Sequence, residues 1–438
     1  MSSSRYLVEP RRKVSGELTV PGDKSISHRA LMFGGIANGT TEITGFLDGE
    51  DCLATLKALQ ALGVRIERPS SKHVIVHGVG ADGLRGVSTP LDMGNAGTAM
   101  RLFMGLLAGQ GFKSTLIGDS SLMRRPMERA AVPLRQMGAR IQTQDGKPPV
   151  EIDGHAPLKA ITYSMPVASA QVKSSILLAT LKAEGVTRVT EPAPSRDHTE
   201  RMLSAFGVQI SREGSTVVLM GGQTLKGGAV QVPADFSSAA FFLVAGCLAA
   251  DDGLVLKNVG INPTRTGLIE MLRLMGADIR VHSNGSEKVA GEPIADIEVR
   301  ASKLRGITVP ESLVPLAIDE FPAFFIAAAA AEGETTVTGA HELRVKETDR
   351  LAAMAEGLGV LGVENRLSED GLWIRGAGEW GGGVVDSHGD HRIAMSFAIA
   401  SLRARAPIEI LDVANVATSF PSFVELARSA GLQLTVTA

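Results

Sequence analysis

The sequence predicts an α/β protein of two domains, each built from three copies of one repeat unit. Six amphipathic helices are each followed by a glycine and a strand, and these glycines are 75, 69, 69, 86 and 69 residues apart, at Gly63, Gly138, Gly207, Gly276, Gly362 and Gly431. A repeat of this length indicates one supersecondary unit copied along the chain. A boundary near residue 235 leaves three units on each side of the 438-residue chain.

The first element of the unit is the amphipathic helix that ends at the repeated glycine. It reads LKALQALGVRIE around Gly63 and returns as ELARSAGLQLTV around Gly431. A residue just past a helix often adopts a left-handed conformation, which penalises any Cβ. We therefore predict a positive φ at all six glycines.

Two further elements complete the unit. A β-branched strand precedes each amphipathic helix, and the six strands read GTTEITGF, KSTLIGDS, GVTRVTEP, GLVLKNVG, GETTVTGA and APIEILDV. A short strand and a polar turn lead into a second helix, which is rich in small residues and apolar on most faces. These second helices are predicted to be buried, and they lie in GDKSISHRALM, GNAGTAMRLFM, SAQVKSSILLA, ADFSSAAFFLVA, IDEFPAFFIAA and GDHRIAMSFAIA.

The composition argues against several classes of function. The net charge is −3 and aromatic residues make up 4%, so neither nucleic acid nor an anionic membrane is a predicted partner. The N-terminus lacks an apolar signal region, and only two cysteines, Cys52 and Cys247, are present. This favours packing cysteines and a cytoplasmic location.

Polar residues are concentrated where the buried helices begin. The N-terminus of a helix attracts anions through its free N–H groups and its dipole, and Lys24, Arg29, Arg101 and Arg392 lie at such places. No GxxxxGK[ST] loop or strand-GxGxxG-helix unit is present. The pattern favours a small substrate that carries phosphate over a nucleotide.

Three alternatives remain open at this point. Asp23, Ser25 and Ser27 have the composition of an ordinary helix cap. The glycines of GNAGTAMR have the composition of a turn, in which Gly97 would need a positive φ. The run DSHGDHR offers His388, Asp390 and His391 as metal ligands, a less favoured interpretation.

A set of motifs spread over nearly the whole chain resembles the 5-enolpyruvylshikimate-3-phosphate (EPSP) synthases, which belong to the enolpyruvyl transferases. The motifs occur in family order: PGDKSISHRA, GNAGTAMR, MRRP, SAQVKSS, SRDHTE, IDEFPA, RVKETDR, GDHRIAMSF and ATSFP. The resemblance implies two pseudo-symmetric domains, each of three βαβαββ units with buried helices, an inside-out α/β barrel. It also implies that residues 1–21 join residues 236–438 in one domain, that residues 22–235 form the other, and that the active site lies in the cleft between them.

The resemblance implies transfer of the enolpyruvyl group of phosphoenolpyruvate to the 5-hydroxyl of shikimate 3-phosphate, which releases phosphate. Asp319, Glu347 and Lys24 are the implied catalytic residues. The implied ligands of shikimate 3-phosphate are Lys24, Ser25, Arg29, Ser169, Ala170, Gln171, Ser195, Arg196, Asp319 and Lys346. The implied ligands of phosphoenolpyruvate are Lys24, Asn95, Gly97, Thr98, Arg125, Gln171, Arg350 and Arg392.

The same resemblance implies that the enzyme is a monomer and needs neither a metal nor another cofactor. It also implies that the herbicide glyphosate occupies much of the phosphoenolpyruvate site. A related alternative is UDP-N-acetylglucosamine enolpyruvyl transferase, but that family usually has Lys-Asn where this chain has Lys24-Ser25. A phosphate-binding scaffold without catalysis is the other alternative, and it would not need Asp319 and Glu347.

Overall fold

The computed structural model describes residues 4–283, 288–289 and 291–437. The helices within these residues are α1 (Lys24–Ile36), α2 (Glu50–Ala61), α3 (Gly97–Leu107), α4 (Glu128–Gln136), α5 (Ala170–Thr180), α6 (His198–Ala205), α7 (Phe236–Ala249), α8 (Gly267–Leu274), α9 (Phe321–Ala330), α10 (Arg350–Val360), α11 (His391–Ala400), α12 (Val416–Ser419) and α13 (Phe423–Ala430). Short 3₁₀ helices occur at Leu122–Arg124, Glu311–Leu313, His341–Val345 and Ser401–Arg403.

The strands of the first half are β1 (Arg5–Glu9), β2 (Gly16–Leu18), β3 (Ala37–Thr44), β4 (Arg65–Ser70), β5 (His73–Val79), β6 (Leu91–Asp92), β7 (Lys113–Ile117), β8 (Arg140–Gln144), β9 (Lys147–Asp153), β10 (Leu158–Lys159), β11 (Thr162–Ser164), β12 (Ala183–Glu184), β13 (Val186–Thr190), β14 (Ile210–Glu213), β15 (Thr216–Met220), β16 (Leu225–Lys226) and β17 (Ala229–Gln231). Those that follow are β18 (Leu254–Gly260), β19 (Asp278–His282), β20 (Lys288–Val289), β21 (Glu292–Arg300), β22 (Glu334–Val337), β23 (Asn365–Leu367), β24 (Leu372–Arg375), β25 (Gly383–Asp386), β26 (Ile408–Leu411) and β27 (Gln433–Thr437).

The chain divides into two compact units. The N-terminal unit comprises Gly22–Val232 and Lys288–Glu292. The C-terminal unit comprises Met1–Pro21, Pro233–Glu287 and Pro293–Ala438. Each unit has its own core of buried apolar side chains.

One sheet order occurs three times in the N-terminal unit: β17-β3-β5-β4, β6-β7-β9-β8 and β11-β13-β15-β14. In each sheet the first pair is parallel and the other two pairs are antiparallel. The helices α1, α3 and α5 are the predicted small-residue helices of this unit, and most of their residues are buried.

The C-terminal unit repeats this order in β2-β18-β21-β19 and β25-β26-β1-β27. Its third sheet, β22-β24-β23, lacks the predicted short strand, and two isolated parallel bridges, Arg305 with Glu332 and Thr308 with Thr336, stand in its place. The N–H of Val309 donates to the carbonyl of Thr336 and the N–H of Thr336 donates to the carbonyl of Ile307, so the pairing at Thr308 is shortened to two hydrogen bonds and does not extend into a strand. Strand β1 lies between β26 and β27, so an early segment of the chain completes the sixth sheet.

Apart from that one short strand, the predicted repeat elements are confirmed. The six glycines after the amphipathic helices have φ between 84° and 117°, and every predicted β-branched segment contains a strand. The small-residue helices are buried, most completely α7, in which all 14 residues are inside. Among the described residues, no helix is both long and apolar enough to cross a membrane.

Candidate active site

The start of α1 carries both a cap and a cation. The Asp23 carboxylate accepts a hydrogen bond of 2.9 Å from the N–H of Ile26, so the capping interpretation is correct for this residue. The ammonium of Lys24 lies 2.9 Å from the carboxylate of Asp51 on α2. Lys24 remains partly exposed, with 19% of its side-chain surface accessible. Asp51 therefore fixes Lys24 at the helix start and leaves its ammonium within reach of a ligand.

Arg29 lies one turn further along α1 and is buried. Its guanidinium donates to the Thr199 hydroxyl at 2.7 Å, to the Ser174 hydroxyl at 2.8 Å and to the carbonyl of Ser25 at 2.9 Å. Burial lowers its pKa to about 10. The guanidinium thus ties α1 to α5 and α6, and any contact with a ligand competes with these bonds.

His28 is buried beside these cations, and its Nδ1 lies 2.8 Å from the Thr55 hydroxyl. Burial, with help from Lys24 and Arg29, lowers the pKa of His28 from its ordinary 6.5 to about 3. A neutral ring therefore stabilises the fold above about pH 6.5, and this contribution is lost as the pH falls from there to about 3.

We expect His28→Asn to make the free energy of unfolding less dependent on pH in the acid range. Asparagine keeps a polar atom for Thr55 but cannot take up a proton in this range. Its urea-unfolding midpoint should fall less between pH 6.5 and pH 4 than that of the unmodified protein. His155→Asn, at an exposed histidine, serves as the control, and identical slopes for all three proteins would contradict the prediction.

A second group joins the starts of α3 and α5. The Gln171 side chain accepts from the guanidinium of Arg101 at 2.7 Å and donates to the Thr98 hydroxyl at 2.8 Å. The guanidinium of Arg125 donates to the Asn95 side chain at 2.6 Å. Two guanidinium groups are thus held at the N-terminus of α3, where the helix dipole also favours an anion.

Gly97 begins α3 between these arginines. It does not have a positive φ, whereas Gly94 does, at 55°, so the interpretation of Gly97 as a left-handed turn residue is wrong. A Cβ at Gly97 would lie 2.9 Å from Nη1 of Arg125 and 3.3 Å from Nη1 of Arg101. Both atoms end flexible side chains, so a methyl would displace them and leave the backbone in place.

If Gly97 lines the phosphoenolpyruvate site that the resemblance implies, we expect Gly97→Ala to weaken inhibition by glyphosate by a larger factor than it raises KM for phosphoenolpyruvate. The displaced guanidinium groups narrow the anion site, and glyphosate is the longer of the two ligands. The melting temperature should change by only a few degrees. Equal losses for both ligands together with a lowered melting temperature would contradict the prediction.

The start of α5 holds two more predicted residues. The Ser169 hydroxyl caps the helix by accepting from the N–H of Val172 at 3.3 Å, and Ala170 is the first helical residue. Ser195 lies in the loop before α6 and donates to the carboxylate of Glu191. Arg196 follows it and is only partly buried.

A buried ion cluster supports this loop. The fully buried ammonium of Lys173 lies 2.9 Å from Glu191 and 2.7 Å from Glu200. Burial raises the pKa of Glu200, and Lys173 offsets part of that rise. The cluster links α5, α6 and the strand before Ser195.

In the C-terminal unit, Asp319 stands two residues before α9 among three cations. Its carboxylate is 3.3 Å from the guanidinium of Arg350 and 3.9 Å from both Lys346 and Arg392. Its carbonyl oxygen accepts from Arg392 at 3.0 Å. Positive charge on several sides stabilises the ionised carboxylate, which is the form that accepts a proton.

Arg350 connects this carboxylate to two others. It is 1% exposed and contacts Glu347 at 2.5 Å and Asp390 at 2.8 Å. Burial alone would lower the pKa of Arg350, but Asp390, Glu347 and Asp319 raise it, and the net direction is upward. Arg350 is therefore a permanent cation that fixes both predicted acid-base residues.

Three residues of these groups were not predicted as site residues. Arg101 was noted as a cation at a helix start but was not assigned to either substrate, although it lies four residues after Gly97 and so on the same face of α3. Asp51 carries no motif, since an acidic residue in the first turn of a helix is common. Asp390 was considered as a metal ligand, and its pairing with Arg350 depends on tertiary structure.

The residues of the metal alternative are engaged elsewhere. One oxygen of Asp390 accepts from the N–H of Arg392 at 2.8 Å, and the other from Arg350. His388 pairs with Glu356 at 3.1 Å. Across residues 4–283, 288–289 and 291–437, no three histidine, cysteine or acidic side chains gather as metal ligands would.

Comparison with known proteins identifies the family of the chain. The family model of EPSP synthase (3-phosphoshikimate 1-carboxyvinyltransferase) matches residues 8–426. The chain belongs to the EPSP synthase family. The predictions of this family and of a transferase of the shikimate pathway are confirmed.

Individual proteins are similar to this chain over nearly its full length. The 3-phosphoshikimate 1-carboxyvinyltransferase of Halorhodospira halophila is 59% identical over 437 residues, 100% of this chain and 98% of that protein. The enzyme of the same name from Methylococcus capsulatus is 58% identical over 432 residues, 98% of each chain. A solved EPSP synthase from Acinetobacter baumannii is 54% identical, covers 100% of both chains and has a TM-score of 0.89. The mixed α/β architecture is therefore that of EPSP synthase structures.

Proposed function

We propose that this chain carries out the EPSP synthase reaction, with Asp319 and Glu347 as its acid-base pair. The reaction joins the enolpyruvyl group of phosphoenolpyruvate to the 5-hydroxyl of shikimate 3-phosphate and releases phosphate. The observation that carries the proposal is the buried Arg350, which contacts both carboxylates. A protein that only binds phosphate would gain nothing from two carboxylates held beside its cations.

The proposed reaction proceeds by addition and then elimination. The oxygen of the 5-hydroxyl attacks C2 of phosphoenolpyruvate and gives its proton to Asp319, while Glu347 gives a proton to C3. The C–O bond to phosphate then breaks, Asp319 passes its proton to the departing phosphate, one proton of the C3 methyl group returns to Glu347, and the double bond forms again. The bond to C2 forms and the bond to phosphate breaks with proton transfers at positioned carboxylates, so the proposed chemistry requires no cofactor.

The cations are proposed to bind the anionic groups of the two substrates. Arginine binds carboxylate and phosphate through two parallel donors, and Arg125 and Arg392 lie at helix starts that add a favourable dipole. Lys24 is proposed to contact both substrates and to help proton transfer. The remaining proposed ligands of shikimate 3-phosphate are Ser25, Arg29, Ser169, Ala170, Gln171, Ser195, Arg196 and Lys346, and those of phosphoenolpyruvate are Asn95, Gly97, Thr98, Gln171 and Arg350.

The proposal extends to the architecture and state of the enzyme. We propose domains that comprise residues 22–235 and residues 1–21 with 236–438, each an inside-out α/β barrel of three βαβαββ units. The recurring sheet order and the buried small-residue helices support it. We also propose a cytoplasmic location, which agrees with the two free buried cysteines. We propose that the enzyme is a monomer, and light scattering tests this.

Release of inorganic phosphate tests the function directly. Phosphate should appear only when phosphoenolpyruvate and shikimate 3-phosphate are both present, and treatment with EDTA should leave the rate unchanged. UDP-N-acetylglucosamine is the control acceptor and should give no phosphate. Release with that acceptor instead, or with neither, would overturn the proposal.

A further inference from the structure

Arg265 is a third buried arginine of the C-terminal unit, in addition to Arg350 and Arg392, and its hydrogen bonds lead to the residue after Asp319. Arg265 is 3% exposed, and its Nη2 donates to the carboxylate of Asp235 at 3.1 Å and to the hydroxyl of Ser237 at 2.7 Å. The Ser237 hydroxyl contacts the carboxylate of Glu320, which is 1% exposed. Asp235 and Ser237 stand at the start of α7, and Glu320 is the residue before α9.

The chemistry of these groups fixes the direction of the chain of hydrogen bonds. A guanidinium can only donate, and an ionised carboxylate can only accept. The hydroxyl between them has one proton, so Ser237 accepts from Arg265 and donates to Glu320. Each hydrogen bond in this buried series polarises the next.

Glu320 directly follows Asp319 in the sequence, and the two side chains are held by different elements. The Asp319 carboxylate lies against Arg350 of α10, whereas the Glu320 carboxylate lies against the start of α7. The carbonyl of Asp319, which belongs to the peptide between them, accepts from Arg392 of α11. Three helices therefore fix the short segment that carries Asp319.

We propose that Arg265, Ser237 and Glu320 are positioning residues that hold Asp319 in place for proton transfer. This inference rests on the proposed role of Asp319 as the base for the 5-hydroxyl. A general base works only within hydrogen-bond reach of the proton it takes, and a shift of about 1 Å at a reacting group costs up to about a hundredfold in rate. If these hydrogen bonds only joined α7 to α9, their loss would lower stability and leave kcat unchanged.

Two neighbouring serines give a matched pair of variants. Ser237→Ala removes the hydroxyl between Arg265 and Glu320. Ser238→Ala removes a hydroxyl on the same helix that is equally buried, at 4%, and bonds to Asp235 at 2.9 Å without a bond to Glu320. We expect Ser237→Ala to lower kcat by about tenfold to a hundredfold, with each KM within about twofold, while Ser238→Ala keeps kcat within about twofold. Equal kcat values for the two variants would overturn the proposal.

The Asp319→Asn background shows whether the hydrogen bonds of Arg265, Ser237 and Glu320 act through Asp319. There, Ser237→Ala should lower the residual rate by less than about twofold, because effects that pass through one residue are not additive. The same loss in both backgrounds would overturn the proposal. If Ser237→Ala fails to fold, Glu320→Gln, which keeps the shape of the side chain, is measured in both backgrounds with the same criteria.

The wild-type protein separates this inference from the proposed function. Absence of phosphate release from the wild type would refute the function itself, and a full rate for Asp319→Asn would refute the role of Asp319 on which this inference rests. A working wild type and a slow Asp319→Asn, combined with a normal Ser237→Ala, would refute only the positioning role.

Discussion

Asp319→Asn is expected to lower kcat by about two to four orders of magnitude, the range of general acid-base catalysis. Asparagine nearly preserves the size and hydrogen-bonding reach of the side chain but cannot take the proton of the attacking hydroxyl. Binding of shikimate 3-phosphate, measured by calorimetry, should stay within about tenfold, because Lys346 and Arg392 keep their charges.

Asp349→Asn is the matched control for this change. Asp349 caps α10 by accepting from the N–H of Ala352 at 3.0 Å, and asparagine caps a helix about as well as aspartate. Its kcat should stay within about threefold of the wild type. A rate for Asp319→Asn equal to that of the control would remove Asp319 from the mechanism.

Arg350→Met is expected to lower the free energy of unfolding of the C-terminal unit by about 3–5 kcal/mol, the cost of removing one partner from a buried ion pair. Three carboxylates, those of Asp319, Glu347 and Asp390, face this guanidinium. Without it they repel one another in a site that water reaches poorly. Phosphate release should fall below detection as well, because both proposed acid-base residues lose their anchor.

Arg375→Met is the matched control for Arg350→Met at the protein surface. Arg375 also contacts two carboxylates, Glu334 at 2.9 Å and Glu364 at 3.2 Å, but its side chain is 54% exposed. Exposed ion pairs contribute about 0–1 kcal/mol, so this variant should unfold within a few degrees of the wild type. Similar losses of stability in the two variants would show that burial is not what gives Arg350 its effect.

The repeat unit could be predicted because it depends on local chemistry. Gly63 and its five counterparts mark helix ends through a backbone conformation that favours glycine. The small-residue helices were identifiable because they lack a polar face. The segment at Thr308 shows the limit, since its pairing with Thr336 stops after two hydrogen bonds. The length of such a pairing depends on tertiary contacts that the local sequence does not contain.

The candidate site was predictable as a set of residue types, whereas its pairings were not. The cations and carboxylates were found from helix starts and from motifs. The choice of Asp51 as the partner of Lys24, and of Asp390 as the partner of Arg350, depends on which elements lie side by side. Ser237 has no charge and no motif, and only tertiary structure places its hydroxyl between Arg265 and Glu320.

The position of β1 has a consequence for the order in which the protein folds as it is made. Arg5 of β1 pairs with Thr437 of β27, so the ribosome synthesises β1 long before β27 exists. Domains generally fold as units during synthesis, and the N-terminal unit has nearly all of its strands once Val232 has emerged. The sheet that contains β1 must wait for β27, and until then β1 offers unpaired N–H and C=O groups to any strand nearby. The C-terminal unit is therefore the part of the chain in which a pause late in translation should most increase aggregation.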